Sequence, residues 1–230
     1  MDDFASFLAV ALRRELPGWS AQQRMMPRYP DGTFRRFLPP PDARRSAVAV
    51  LVTSGERPSV LLTLRSSTLR HHRGQISFPG GRIEAGESPT DAALRELGEE
   101  VGIALTDVRV IGMLSSLYTP PSNSAIVPVA MVCRSQLDCR LDATEVEEAF
   151  WVELSALDGA AIEEEWELPY GHMIVPLWRI HPRVPLWGAT AIVLAELLAL
   201  YEQWIKQRAI PAERAADDQY PTALEDRSED

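Results

Sequence analysis

Apolar residues near the N-terminus recur at helical spacing: Phe4, Phe7, Leu8, Ala11 and Leu12. Asp2 and Asp3 can cap that helix, which runs to about Leu16 before Pro17-Gly18 ends it. Residues 17–41 lose the period, are rich in proline and arginine, and read as an ordered arm or linker rather than core. Residues 46–53 (SAVAVLVT) and 59–65 (SVLLTLR) are β-branched, apolar runs separated by a turn at 55–58, which predicts a hairpin. An irregular basic loop follows over 66–74, and then a short strand at 75–78. Ser88, Pro89 and Asp91 supply an N-cap, a first-turn proline and an acid three residues after the cap, so a helix starts there. Gly102 ends it in the left-handed cap position. Residues 108–118 and 126–134 read as strands joined through 119–124, and 148–152 as a strand leading to a helical turn near 155–157. Residues 172–180 read as one more strand. Residues 188–206 form a long helix with Leu194, Leu198, Tyr201 and Ile205 along one stripe. The pattern is that of an α/β protein, a mixed sheet with helices on both faces.

Composition narrows the function. The 230 residues suit one domain with extra segments. The expected division is an N-terminal helix and arm over 1–45, a catalytic domain over 46–210, and an acidic tail over 211–230. From 212 onward the tail has seven acids against Arg214 and Arg227, with no apolar stripe, and reads as disordered. The net charge of -10 argues against a nucleic-acid partner but leaves room for a small anionic substrate, because local charge can oppose global charge. Cys133 and Cys139 form no CxxC pair, so zinc is not indicated, and both are expected as free thiols in a reducing compartment. Met1-Asp-Asp-Phe has acids where a signal peptide has bases, and no uninterrupted apolar run spans a bilayer. The expectation is a soluble, cytoplasmic protein without a membrane partner.

The chemistry concentrates in Gly81–Ile103. Glu96, Glu99 and Glu100 stand at i, i+3 and i+4, on one face of the helix that starts after Ser88. Like charges so placed repel each other, and a hard divalent cation such as Mg2+ would neutralise them. Taken alone, three glutamates equally suit a solvated helix face. A phosphate-binding P-loop is excluded because no Gly-Lys-Ser/Thr follows the glycines, and an EF-hand because its aspartate spacing is missing.

The stretch fits Gly-x5-Glu-x7-Arg-Glu-Leu-x-Glu-Glu-x-Gly-Ile from Gly81 to Ile103 at every fixed position. It resembles the Nudix box, and the flanking elements resemble the Nudix α/β/α sandwich over about residues 46–206. The resemblance implies hydrolysis of a diphosphate linked to some group X. It also implies Mg2+ or Mn2+ held by Glu96, Glu99 and Glu100. Glu87 either joins those ligands or binds Arg95, and Arg95 orients the glutamates by a bidentate pair. Gly80, Gly81, Gly86 and Gly102 let the loop wrap the helix.

Arg65, Arg70, His71, His72 and Arg73 form the densest basic cluster in this acidic chain. From composition alone they suit an exposed basic loop as well as a phosphate contact. The run Leu61–Gly81 matches LLTxRSxxxRxxxGxxxFPGG, which resembles the extra motif of the coenzyme A diphosphatase branch of the Nudix family. That resemblance implies cleavage of coenzyme A, or of an acyl-coenzyme A, to 3′,5′-ADP and the phosphopantetheine half. Arg65, Arg70 and Arg73 would meet the phosphates, with Gly80 and Gly81 beside the substrate. Two alternatives stand: a Nudix diphosphatase for another nucleotide such as ADP-ribose, and a Nudix-like ligand-sensing module without turnover.

Weaker features complete the reading. Glu145 is a candidate ligand or base outside the helix, or simply a surface acid. Trp187 and Thr190, in a Trp-Gly-x-Thr element, suggest packing and a cap rather than substrate contacts. His172 and His181 show no partner in sequence and read as structural. The loop 119–124 is expected to overhang the site. The N-terminal arm and last helix are the candidate surfaces for a homodimer.

Overall fold

The structure, a computed structural model, describes residues 3–34, 38–68 and 73–209. Arg70, His71, His72 and the acidic tail expected over 211–230 lie outside the described residues.

The first helix is α1 (Phe4–Ala11), capped by Asp3, whose carboxylate accepts from Ser6 N at 2.7 Å. It is followed by the short α2 (Trp19–Gln22) and a 3-10 turn, Gln23–Met25. The expected hairpin is β1 (Arg44–Thr53) and β2 (Ser59–Arg65), and the next strands are short, β3 (Ile76–Ser77) and β4 (Gly80–Arg82). The glutamate helix is α3 (Pro89–Val101). Beyond it lie β5 (Arg109–Met113), β6 (Leu117–Thr119), β7 (Ser124–Cys133), β8 (Val146–Glu153) and α4 (Leu154–Leu157). The chain closes with β9 (Ile162–Leu168), β10 (Gly171–Leu177) and α5 (Gly188–Ala209).

Eight strands form one mixed sheet. β1 and β7 run parallel in register over ten residues, Arg44↔Ser124 to Thr53↔Cys133, and the other pairings are antiparallel. Alternation along β1 divides the core. Ala47, Ala49 and Leu51 face α3, together with Leu61, Val129 and Met131. Val50 and Val52 face α1 and α5, together with Val60, Leu62 and Leu64. This is the α/β/α sandwich expected from the sequence.

β1 and β2 meet at Val52↔Val60 and then splay apart. The chain from Ile76 to Arg82 fills the gap: β3 pairs with β2, β4 pairs with β1, and Ala49 N donates to Pro79 O at 2.8 Å. The splay brings two glycines, Gly80 and Gly81, into the middle of the sheet beside α3.

Three readings are corrected. The segment taken as arm rather than core buries Ala21, Gln22 and Met25, and Met25 joins the α5 side of the core. The strand expected over 108–118 is two strands, β5 and β6, with a break at Ser115. β9 was not anticipated, since its Glu163-Glu164-Glu165 run masks the alternation. α5 is by length and composition apolar enough to cross a membrane, with an 18-residue window of mean hydropathy 1.2, although Glu196 and Glu202 interrupt its apolar run. Every residue from Ala191 to Tyr201 is buried, so it is a core helix, apolar all round because it is covered all round.

Candidate active site

α3 starts where the sequence says it must. The Ser88 hydroxyl accepts from Asp91 N at 3.1 Å and the Asp91 carboxylate faces back onto Ser88 N, a complete capping box. Gly102, at φ +66, turns the chain out of the helix, and a Cβ there would sit 2.6 Å from Arg140 O. The segment it leads to returns against the helix end: Arg140 N donates to Val101 O and Asp142 N to Glu100 O. Leu97 and Val101 are fully buried on the sheet, which turns the glutamates toward β4.

Arg95 is the hub of the helix face. Its Nε donates to Glu87 at 2.9 Å, one terminal nitrogen donates to Glu96 (2.9 Å) and Glu99 (3.0 Å), and the other reaches Arg82 O at 3.1 Å. These acids hold the Arg95 pKa above its ordinary value, Glu87 first. Of the two roles open to Glu87, binding Arg95 is the one seen. Its other oxygen accepts from Glu84 N at 2.9 Å, so it locks the loop, and Arg95 holds its carboxyl below the usual range.

Glu100 is the buried member, 2% exposed. One oxygen accepts from Arg65 at 3.2 Å, the other from Gly80 N at 3.3 Å. Burial pushes its pKa up to about 7; Arg65 pulls it down, while Glu96 and Glu145 push it further up. Glu96 is also raised, again by burial first, with Arg95 opposing and Glu99 and Glu145 adding. Glu145 therefore stands close enough to both to repel them, although no sequence motif ties it to the helix. Glu99 is the most exposed of the set. Arg65 reaches Glu100 by strand alternation: on β2 it shares the α3 face with Leu61, and the β2–β8 register shift beside it leaves the extra residue on β8.

Gly81 is required sterically. A Cβ there would lie 2.2 Å from Glu96 Oε1, and one on Gly80 would meet Ala47 O at 2.5 Å. The glycine backbone is thus the floor against which the carboxylates pack. The same two glycines, with Arg65, line a cleft of about 1080 Å³. Its far walls are Met26 and Pro27, the β9–β10 turn at Leu168–Tyr170, and the head of α5 from Trp187. The loop expected to overhang the site does so, through Tyr118 to Ser122. It is stiffened by its own bonds, Tyr118 to Asn123 at 2.8 Å and Thr119 to Ser122 at 2.6 Å.

The donor set suits a hard divalent cation: oxygen only, anionic, partly buried and self-repelling. Among the described residues no three such side chains are drawn into a ready-made cage, because Arg95 and Arg65 hold the carboxylate oxygens in place.

The remaining predicted residues fall as follows. Arg73 is exposed and outside the cleft lining, and Arg70 is not described. The Thr190 hydroxyl donates to Ile76 O at 3.1 Å, tying α5 to β3, and Thr190 also lines the cleft. Trp187 packs edge-on against Trp166 at 4.9 Å and also lines the cleft. Both histidines have partners, His172 with Glu165 and Glu167, His181 with Glu148. Cys133 and Cys139 are free, and burial pushes the Cys133 thiol up to about 11. Sequence reasoning missed Arg44 and Arg82, which line the cleft. Counting back by twos from the inward Val50 and Val48 would have found Arg44.

Buried, mutually repelling carboxylates packed on a glycine floor, beside a cleft large enough for a nucleotide, define a hydrolase acting on phosphoanhydride bonds. The NUDIX domain family model matches residues 43–173, and the chain belongs to that family. Nudix hydrolase 3 of Caenorhabditis elegans is 29% identical over 172 residues, covering 67% of this chain and 72% of its own length. The Photorhabdus laumondii protein named uncharacterized Nudix hydrolase NudL is 32% identical over 174 residues, covering 71% and 91%. Among solved structures, the Nudix hydrolase RenU of M. smegmatis aligns over 80% of this chain and 95% of its own at 17% identity, with a TM-score of 0.45. Hydrolases of this family generally use divalent metal ions.

Proposed function

We propose that the protein is a coenzyme A diphosphatase, cutting coenzyme A or an acyl-coenzyme A to 3′,5′-ADP and the phosphopantetheine half. The observation that carries this is the place of Arg65. It belongs to the Leu61–Gly81 run that resembles the coenzyme A branch motif, it lines the cleft, and its guanidinium donates to Glu100. This contact supports reading the branch-motif segment and the glutamate helix as one site.

Glu96, Glu99 and Glu100 would hold Mg2+ or Mn2+, with Glu145 beside them. When bound, such a cation offsets phosphate charge and lowers the pKa of water. Arg95 aligns Glu96 and Glu99, and Glu87 keeps Arg95 in place. Glu100, whose pKa burial raises to about 7, would be held as the carboxylate by such a cation. Gly80 and Gly81 let a phosphate approach the backbone, while Arg65, which lines the cleft, offsets part of the diphosphate's charge.

The test is product identification by mass on a panel of coenzyme A, an acyl-coenzyme A, ADP-ribose and a dinucleoside polyphosphate, each with Mg2+ or Mn2+. Coenzyme A and its thioester are expected to give 3′,5′-ADP, with activity lost in Glu100→Gln. Cleavage of ADP-ribose with coenzyme A left intact would replace this substrate. No metal-dependent turnover of any compound would leave the sensing-module reading.

A further inference from the structure

The polar end of the cleft contains four side chains that the glutamate site does not use: Arg44, Ser46, Arg82 and Ser124. Sheet register puts them on one face. Ser46 lies opposite Arg82 across β1 and β4, and Arg44 lies beside Ser124 across β1 and β7. Arg44 and Arg82 are then diagonal neighbours, with backbones about 7–8 Å apart, so two long guanidinium side chains can converge on one point. The Ser46 and Ser124 hydroxyls touch at 2.8 Å beneath them.

Their charge is uncompensated. Arg65 is matched by Glu100, and Arg95 by Glu87, Glu96 and Glu99. Among the described residues Arg44 and Arg82 have no acidic partner, although the chain has 33 acids against 23 lysines and arginines. Both side chains are exposed, so water screens their repulsion, and an anion lying between them would be attracted by both. One hydroxyl of the Ser46–Ser124 pair donates to the other, which leaves two guanidiniums and one O–H free to donate, a set that matches the oxygens of a phosphomonoester. β4 also fixes where this group stands relative to the reaction. Gly81 turns toward Glu96 on one face, and the next residue, Arg82, projects from the other.

We infer that Arg44 and Arg82, with the Ser46 and Ser124 hydroxyls, form a second anion site that grips a substrate phosphoryl group outside the bond being cut. This rests on the proposed function, where that group is the 3′-phosphate of coenzyme A. It leaves Arg65 and its loop to the diphosphate, and it directs the rest of the substrate toward the apolar wall at Met173 and Trp187.

The experiment pairs binding with kinetics. Adenosine 3′,5′-bisphosphate is titrated calorimetrically, with chelator present, into wild type, Arg44→Ala, Arg82→Ala and the lysine variants. Arg45→Ala is the control, since Arg45 alternates to the opposite face of β1. Removing either cleft arginine is expected to weaken binding about tenfold or more, lysine to restore part of it, and Arg45→Ala to change nothing. In turnover, each alanine variant is expected to raise KM for coenzyme A about tenfold, with kcat nearly constant. For 3′-dephospho-coenzyme A the rise should be about twofold or less. No bisphosphate binding by wild type, equal binding by the variants, or equal KM effects on both substrates would overturn the inference. If coenzyme A is not cut but the bisphosphate still binds through Arg44 and Arg82, the substrate proposal fails and the anion site stands.

Discussion

Glu100 shows how one residue can carry both a cost and a use. Its carboxyl is raised from an ordinary value near 4.5 to about 7, chiefly by burial. The folded-state value lies above the unfolded one. This group therefore stabilises the fold while protonated, below about pH 4.5, and the contribution is lost as pH rises through 7. In chelator, urea denaturation should show wild type losing stability relative to Glu100→Gln between pH 5 and 8, by on the order of 2–3 kcal/mol. A pH-independent difference between the two would refute a raised Glu100. Gly81 makes the complementary case. Gly81→Ala places a methyl where Glu96 Oε1 now stands, so Glu96 must swing away. Turnover should fall at least about a hundredfold. The circular dichroism spectrum should stay native, because the displaced group is a side chain.

Among elements, α3 was legible and the β5–β6 break was not. Ser88, Asp91 and Gly102 write the helix ends locally, and the structure reproduces them. The break arises from a residue 81 positions away. Glu196, fully buried on α5, accepts from Ser115 N (2.9 Å), Ser115 Oγ (2.6 Å) and Gly18 N (2.8 Å). An unbroken strand would spend Ser115 N on the sheet; the bend gives it to the buried carboxylate instead. Glu196→Ala would leave those donors unsatisfied and should cost about 3 kcal/mol or more in urea denaturation. Amide exchange should quicken at Gly18 and Ser115 but not in α3, which shares no bond with Glu196. Protection unchanged at Ser115 would show that the carboxylate does not hold the break.

For the whole molecule, the family match begins at residue 43, but the core does not. Phe4 packs against Tyr201 at 5.7 Å and Trp204 at 5.4 Å, and Met25 lies in the same cluster as Val50 and Leu62. A chain starting at residue 43 would expose that face of α5 to water. It is expected to be insoluble or to melt without cooperativity by calorimetry, whereas a chain ending at 209 should melt like the full protein. A well-folded 43–209 fragment would show that the N-terminal helices are an accessory. The N-terminal segment also bears on the cleft. Arg28 bridges to Ile174 and forms a two-pronged pair with Glu163, which fixes Met26 and Pro27 as one wall.

Local chemistry alone determined the glutamate helix, its caps, the glycine floor and most strands, since spacing and capping act within a few residues of chain. Arg65 was singled out by its motif, but its contact with Glu100, 35 positions away, depends on the packing of α3 against the sheet. Tertiary structure alone decided the rest. It brought Glu145, three strands further along the chain, toward the helix, and it made a long apolar helix a core element by covering it. It also placed Arg44 beside Arg82, because β1 and β4 are neighbours only where the sheet splays. Long-range pairing sets which charges face a common cavity, and no period along the chain encodes that.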